Sequence, residues 1–272
     1  MDVQQILQSA AAKGGESLLT FFHKELTLSK KTSHQNLVSQ ADLASQQVIK
    51  SEILSFMIDR GIDEKEIGFI GEENLNSQGK HLFIIDPLDG TNNFASGHDH
   101  FGISIAYVFE GVLSAGLIYQ PFTNTFYIGE LRKGAFKIGP DGEKKEMRIK
   151  YTNLENTLVA TYLTSSQDAL NKLIPVMLRL NKVTRGIRIL GSFVLDAALF
   201  SNMVNSINVL LHAHPYLWDI AAAKLIIEES GGVMTDWQGN PIQLRLDAPH
   251  MNYSILACHP DNLQEILKII AA

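Results

Sequence analysis

Apolar positions along the chain change period several times, and each change marks an element. Val3, Ile6, Leu7, Ala10 and then Leu18, Leu19 and Phe22 recur at helical spacing, which predicts an amphipathic opening helix ending before Thr27. Residues 30–40 are polar and read as a loop. A second helix is expected from residue 41 to about 60, with Ala44, Val48, Ile49, Ile53 and Met57 on its apolar face. Two short apolar runs follow, 67–70 and 82–85, and both stop at acids. Gly71-Glu72-Glu73 follows the first, and Asp86-Pro87-Leu88-Asp89-Gly90-Thr91 follows the second. Runs of this length bounded by turn residues read as buried strands. Pro87 has no amide proton for a ladder and Gly90 tolerates unusual backbone geometry. The second strand is therefore expected to end near Asp86 and to carry both acids into a tight loop.

Strand-like runs at 102–109, 113–119 and 125–128, separated by Gly111, Pro121 and Asn124, suggest an antiparallel meander. Gly134-Ala135-Phe136 adds a further strand, and 139–146 reads as a polar loop and subdomain boundary. Beyond it the texture alternates: strand 158–162, a helix marked by Leu170, Leu173, Ile174, Met177 and Leu178, strand 185–189, helix 192–202 and strand 207–211. Residues 218–230 form the clearest helix of this half, with Asp219 in its first turn and Gly231-Gly232 as its stop. Strands at 232–235 and 253–257 and a helix at 261–270 complete the expectation. The two textures predict an N-terminal α+β subdomain, 1–145, and a C-terminal α/β subdomain, 146–272.

Composition narrows the class. The chain has 272 residues, 45% apolar and 19% charged, with a net charge of -6 and pI ≈ 5.8. That is room for a large core. The acidic balance argues against nucleic acid or an anionic membrane as main partner. Cys258 is the only cysteine, so neither a disulfide framework nor a thiolate zinc site is available. The opening residues lack a basic region followed by an apolar one, no run approaches the roughly 18 apolar residues of a membrane span, and a cytoplasmic location is expected.

The candidate chemistry lies in the acids. Two carboxylates at the mouth of a buried strand repel each other and lose hydration, a cost that a cation between them removes. Glu72, Asp86, Asp89 and Asp219, with Asp42 at the start of the second helix, offer oxygen donors only, which suit Mg²⁺ or Mn²⁺ rather than zinc. Standing alone, Asp42 would read as a helix-capping acid and one of Glu72 and Glu73 as a surface residue. Strand-end loops are where sites are built, and two acid-tipped strands in succession favour convergence. Mg²⁺ is commonly held jointly by carboxylates and substrate phosphate, so the cluster anticipates a phosphorylated substrate. Two ions about 4 Å apart would clamp an in-line displacement. Gly90 and Thr91 can offer backbone amides to phosphate, and the Thr91 hydroxyl, oriented by a carboxylate such as Asp42, can take a proton from attacking water. The spacing of 86, 88 and 90 breaks the alternation of an EF-hand loop, and acids three apart disfavour an Asp-x-Asp aspartyl-phosphate route. His98/His100 and His212/His214 have the His-x-His form of some zinc sites but fall on expected polar loops, and pairs at this spacing are common.

The motifs as a set resemble the inositol monophosphatase family of lithium-sensitive, metal-dependent phosphatases. The resemblance is carried by Gly71-Glu72-Glu73, by the run from Ile85 through Asp86-Pro87-Leu88-Asp89-Gly90-Thr91-Asn92-Asn93 to Phe94, and by Trp218-Asp219-Ile220-Ala221-Ala222 ahead of Glu228-Glu229-Ser230-Gly231-Gly232. Weaker matches are Leu37-Val38-Ser39-Gln40-Ala41-Asp42, Gly134-Ala135-Phe136 and Gly191-Ser192. It implies a layered α-β-α-β-α sandwich whose two subdomains share one active site, a homodimer, and Mg²⁺-dependent hydrolysis of a small phosphorylated polyol or sugar. Inositol 1-phosphate is the expected substrate and fructose 1,6-bisphosphate the alternative. By position, it implies that Glu72, Asp86 and the Leu88 carbonyl hold one ion and that Asp86, Asp89 and Asp219 hold a second. Glu72 and Glu73 would contribute to a third, while Asp42, Glu72 and Thr91 serve catalysis. Gly90 and Thr91 would bind phosphate, and Gly191, Ser192, His212 and Asp219 would meet the rest of the substrate. The chain departs from the pattern at His212, where the family usually carries a glutamate that accepts from ring hydroxyls. It departs also at Asn36, in place of an aspartate, and at residues 202–205.

Overall fold

The computed structural model describes residues 2–24, 28–33, 36–200 and 207–272, with backbone alone for 28–33 and 36–39. Helix α1 (Val3–Phe21) is capped by the Asp2 carboxylate, which accepts from the Gln5 amide. Residues 30–40, expected as a loop, instead contribute to an antiparallel hairpin of β1 (Leu28–Ser33) and β2 (Asn36–Ser39). Ladder hydrogen bonds define such a ribbon and need no apolar alternation, so its polar sequence conceals it. The side chain of Asn36 and residues 202–205 lie outside the described residues.

Helix α2 (Gln40–Ile58) precedes β3 (Ile67–Gly71), β4 (Leu75–Ser77) and β5 (His81–Asp89). Strand β4 carries no periodic signal and was not expected. After the short α3 (Thr91–Ala95) come β6 (Gly102–Phe109), β7 (Val112–Gln120), β8 (Thr125–Glu130), β9 (Gly134–Ile138) and β10 (Lys144–Met147). These strands form one sheet in the order β10-β9-β8-β7-β6-β5-β3-β4, with β3 parallel to β5 and the other pairings antiparallel. The expected meander is there. The polar loop placed at 139–146 is shorter, because residues 144–147 pair with β9 as an edge strand; lysines and a glutamate suit an exposed edge.

The second sheet is built from β11 (Leu158–Thr161), followed by α4 (Gln167–Val183), β12 (Gly186–Arg188), α5 (Phe193–Phe200), β13 (Val209–His212), α6 (Leu217–Glu229), β14 (Val233–Thr235), β15 (Ile255–Cys258) and α7 (Leu263–Ala271). Its order is β12-β11-β13-β15-β14, with β11 parallel to both neighbours and β15 antiparallel to both of its own.

Three apolar clusters turn these elements into five layers. Ile6, Leu7 and Leu18 of α1 and Ile49 and Ile53 of α2 pack on one face of the large sheet, against Phe83, Ile85, Ile103 and Ile105. The opposite face, with Leu82, Ile84 and Ala106, meets Val194 of α5 and Ala222 and Ile226 of α6, which also cover Ala160, Leu210 and Ala257 of the small sheet. The outer face of the small sheet, Val159, Leu211 and Leu256, lies under Leu173 and Leu180 of α4 and Ile266 of α7. The result is the α-β-α-β-α sandwich of an α+β protein. Sandwiched between two sheets, α6 is apolar nearly all round, as such a helix must be. It lies so close to the large sheet that a Cβ on Gly116 would fall 2.8 Å from the Ala222 Cα. That contact fixes where the N-terminus of α6, and with it Asp219, can stand. No helix among the described residues is long and apolar enough to cross a membrane.

Candidate active site

Strict strand alternation would send Asp86 and Asp89, three residues apart, to opposite faces. The structure avoids this with a bulge. Asp86 pairs with Ser104 and Asp89 with Gly102, so a three-residue step on β5 answers a two-residue step on β6. The additional residue restores parity and brings both carboxylates to one side. Strand β5 therefore runs on through Pro87 to Asp89 rather than ending near Asp86, which corrects the expectation from Pro87 and Gly90. Gly90 then turns the chain at φ +87° and opens α3. A Cβ there would meet the His100 carbonyl at 3.0 Å, so both space and conformation call for glycine.

Asp219 comes from the first turn of α6, where its Oδ2 accepts from the Tyr216 amide at 2.7 Å. Carboxylate oxygens of Asp86, Asp89 and Asp219 lie within 4.8 Å of one another. Burial raises the pKa of Asp86 well above the carboxylate range, helped by the charges of Glu72, Asp89 and Asp219. Asp219 is raised well above it by burial and by Asp89, and its side chain hydrogen-bonds that of Asp86. Two carboxyl groups in such contact need a proton or a cation between them. Burial raises Asp89 too, against hydrogen bonds that favour its charge: Ser192 Oγ donates to Oδ2 at 2.5 Å and the Val194 amide at 2.9 Å. Among the described residues, no lysine or arginine forms an ion pair with any of the three. An all-oxygen set, mutually repelling and, among the described residues, without a lysine or arginine partner, fits a hard divalent cation.

Glu72 follows β3 directly, and the parallel pairing of Gly71 with Ile85 sets it beside the end of β5. Gln46 of α2 clamps this turn, donating to the Glu73 carbonyl at 2.9 Å and accepting from its amide at 3.3 Å. Asp42 is fully buried in the first turn of α2. Thr91 Oγ1 is 3.2 Å from Asp42 Oδ1 and 3.1 Å from the Leu88 carbonyl, and its single proton serves one acceptor at a time.

These groups open onto a cavity of ≈ 280 Å³. Glu72, Asp86, Leu88, Asp89, Gly90, Thr91 and Asp219 line it together with the rings of Tyr162, Phe193, His212, Tyr216 and Trp218 and with Thr164, Ser165 and Ser166. Glu73 is buried and does not line it, and neither do Gly191 and Ser192. Ser192 sits behind Asp89 as its hydrogen-bond donor. Gly191, at φ +87°, leaves room for Asn93, whose amide bridges the carbonyls of His100 (2.7 Å) and Leu190 (2.8 Å). His212 is not on a loop as expected but ends β13, with 6% of its surface exposed. His214 does lie beyond the strand. Sequence reasoning did not single out Tyr162, and quoted Asn93 only as part of a motif; neither carries a local signal, because each acts on a partner far along the chain.

Comparison with known proteins bears on the chain as a whole. The profile of the inositol monophosphatase family matches residues 2–271. A fructose-1,6-bisphosphatase/inositol-1-monophosphatase of Thermotoga maritima is 35% identical over 228 residues, 84% of this chain and 82% of that protein. A putative Nus factor SuhB of Neisseria meningitidis serogroup B is 33% identical, covering 74% of each chain. A solved IMPase structure from Thermotoga maritima superposes with a TM-score of 0.83 at 29% identity, over 100% of this chain and 97% of that one. The chain belongs to the inositol monophosphatase family, whose members are metal-dependent phosphatases.

Proposed function

We propose that this member of the inositol monophosphatase family is a Mg²⁺-dependent phosphomonoesterase that hydrolyses a small phosphorylated polyol or sugar by direct attack of water. Inositol 1-phosphate is the leading substrate and fructose 1,6-bisphosphate the alternative. The observation that carries the reading is the buried Asp86–Asp89–Asp219 cluster, within 4.8 Å, opening onto the same cavity as Thr91. Asp86, Asp89 and Asp219 would hold one Mg²⁺, and Asp86 with Glu72 and the Leu88 carbonyl another; Mn²⁺ could replace either. Glu72 and Glu73 would contribute to a third, weaker ion, Glu73 from a buried position outside the cavity lining. Bound there, the ions supply Lewis-acid polarisation of the phosphoryl oxygens and acidify water.

The chain's own residues do the rest. Asp42 accepts from Thr91 Oγ1 and leaves that oxygen free to accept the proton of an attacking water. Amides of Gly90 and Thr91, at the start of α3, would bind the phosphate; the Gly90 amide also bonds to Asp89. Asp219 and His212 meet the alcohol half, with Gly191 and Ser192 shaping the turn behind. Lithium inhibition and homodimerisation belong to the same reading.

Phosphate release from a panel of esters, with Mg²⁺ and then with excess EDTA, tests it. Activity on inositol 1-phosphate that disappears with EDTA and returns with Mg²⁺ is the expected result. No hydrolysis of any ester would favour a non-catalytic binding or regulatory role. A trapped phosphoaspartate would exclude direct water attack.

A further inference from the structure

Helix α2 buries one face along its length, and the character of that face changes with distance from the cavity. Ile49, Ile53 and Met57 make its far stretch apolar, apart from Glu52, which is paired with Ser9 and Lys13 of α1. Nearer the cavity the face turns polar at Asp42, Ser45 and Gln46, spaced i, i+3 and i+4, with 0%, 0% and 7% of their surface exposed. Burying a hydroxyl and an amide is costly unless each finds a partner. Both do, and the partners are backbone groups of the two segments that carry the proposed metal ligands.

Ser45 Oγ donates to the Pro87 carbonyl at 3.0 Å. Pro87 and Leu88 lie in the bulge, where the register gives them no partner residue on β6. Ser45 thus satisfies a carbonyl that stands between Asp86 and Leu88. Gln46 holds the turn after β3. Its side chain donates to the Glu73 carbonyl and accepts from the Glu73 amide, at 2.9 and 3.3 Å, which fixes the peptide planes on both sides of Glu73, one of them shared with Glu72. The ladder offers no such hold, because the pairing of β3 with β5 stops at Gly71 and Ile85. The fit is close. A Cβ on Gly71 would fall 3.3 Å from Gln46 Oε1 and 2.8 Å from the Ile85 carbonyl, and one on Gly14 of α1 only 2.6 Å from Ile49 Cγ1, so α2 is seated firmly from behind.

We propose that Ser45 and Gln46 are positioning residues: with Asp42 they make one face of α2 a ruler that sets Glu72 and the β5 bulge at fixed places relative to each other and to Thr91. The inference rests on the phosphatase reading and adds to it two residues that touch neither ion nor substrate. Asp42 meets Thr91 Oγ1 at 3.2 Å on the same helix face. Segments 72–73, 86–88 and 91 are thereby registered against one another by adjacent turns of a single helix, whose rise and spacing are fixed by its own hydrogen bonds. Mg²⁺ demands near-ideal octahedral geometry, with oxygens at about 2.0–2.1 Å, so a small drift of Glu72 or of the bulge is felt as lost affinity. Neither Ser45 nor Gln46 lines the cavity, so neither selects among substrates.

The test uses the full chain and three variants: Gln46→Leu, Ser45→Ala and, as a control deeper on the same helix face, Ile53→Val. Each is titrated with Mg²⁺ by calorimetry without substrate, melted without metal, and assayed on inositol 1-phosphate. Gln46→Leu should weaken apparent Mg²⁺ affinity by about tenfold, the usual cost of freeing a ligand from the group that orients it. It should lower kcat by a similar factor while KM for the ester, at saturating Mg²⁺, changes less than about twofold. Ser45→Ala should weaken Mg²⁺ by about threefold, one neutral hydrogen bond. Ile53→Val should lower Tm and leave Mg²⁺ affinity at the wild-type value. Variants of Ser45 and Gln46 that melt lower but bind Mg²⁺ as the wild type does would overturn the proposal, and so would an Ile53→Val that weakens Mg²⁺ as much as they do. If Gln46→Leu does not fold, Gln46→Met and Ser45→Ala decide it. A wild type that binds Mg²⁺ but hydrolyses no ester would bring down the phosphatase reading, and the titrations would still decide the positioning role. A wild type that takes up no Mg²⁺ would overturn both.

Discussion

In one part of the cavity wall, the acid end, three carboxylates crowd within 4.8 Å and are restrained by a strand bulge, a helix N-terminus and the Ser192 hydroxyl. In another, the ring end, Tyr162, His212 and Phe193 pack together without any formal charge. The acid end is costly by itself: its carboxyls are buried and repel one another, and the packing of α6 on the large sheet and hydrogen bonds from Ser192, Val194 and Tyr216 hold them in place. The ring end is an extension of the core, stabilised by the contacts that shape it. Changes at the first should affect every ester alike and release strain in the metal-free protein, while changes at the second should redistribute preference among esters.

The sharpest way to break that contrast is Asp86→Asn. It removes a shared ligand and should lower kcat/KM by at least about a hundredfold for all esters equally. The metal-free variant should be more stable, by about 1 kcal/mol or about 2–4 °C in Tm, because a buried carboxyl surrounded by like charges is replaced by a neutral amide. Calorimetry without metal reads the sign. A variant that loses stability but keeps activity would remove the distinction between the two ends.

A smaller effect is expected at Ser192→Ala, which takes away the hydroxyl that holds Asp89 in place. Apparent Mg²⁺ affinity should weaken by about tenfold, the usual cost of removing a group that orients a ligand. Isothermal titration with Mg²⁺ measures this without turnover. Because Ser192 does not line the cavity, ratios among esters should stay put. A change of preference in place of a change in affinity would assign Ser192 to the substrate instead.

A third effect concerns stability alone. Asp196 on α5, 3.3 Å from His100 Nε2, has its pKa raised from 3.8 to about 6, chiefly by burial and against the hydrogen bond from His100. The folded state therefore binds this proton more tightly than the unfolded chain does. Between about pH 4 and pH 6 the folded protein holds more protons, so stability falls as pH rises through that window. Asp196→Asn should flatten that part of the Tm–pH curve, recovering on the order of 1–3 kcal/mol above pH 6. An unchanged slope would mean that His100 keeps the carboxylate ionised.

Much of the acid end was legible along the chain because its determinants are local. Glu72 directly after an apolar run, Asp86 and Asp89 around Pro87, and Asp219 in the first turn of a helix are all readable from neighbours in sequence. Even there the face was not. Spacing three on a strand points two acids apart, and only the pairing with β6 reveals the bulge that brings them together. The hairpin β1–β2 was concealed because ladder bonds leave no trace in hydrophobic periodicity. Ser192 was expected against substrate and stands behind Asp89, a difference of one side-chain layer that sequence position does not encode.

The sequence by itself determined the kind of chemistry: oxygen donors without thiolates, turn residues that offer backbone amides, and a hydroxyl next to an acid are properties of residue type and short spacing. Tertiary structure alone decided which carboxylates meet and what faces them. Asp219 stands 130 positions beyond Asp89 and reaches it because α6 is seated against Gly116 with no space to shift. Tyr162 reaches His212 because β11 and β13 are parallel and in register. Contacts of that range are set by packing and strand register, which depend on the whole assembled core and on no single stretch of the chain.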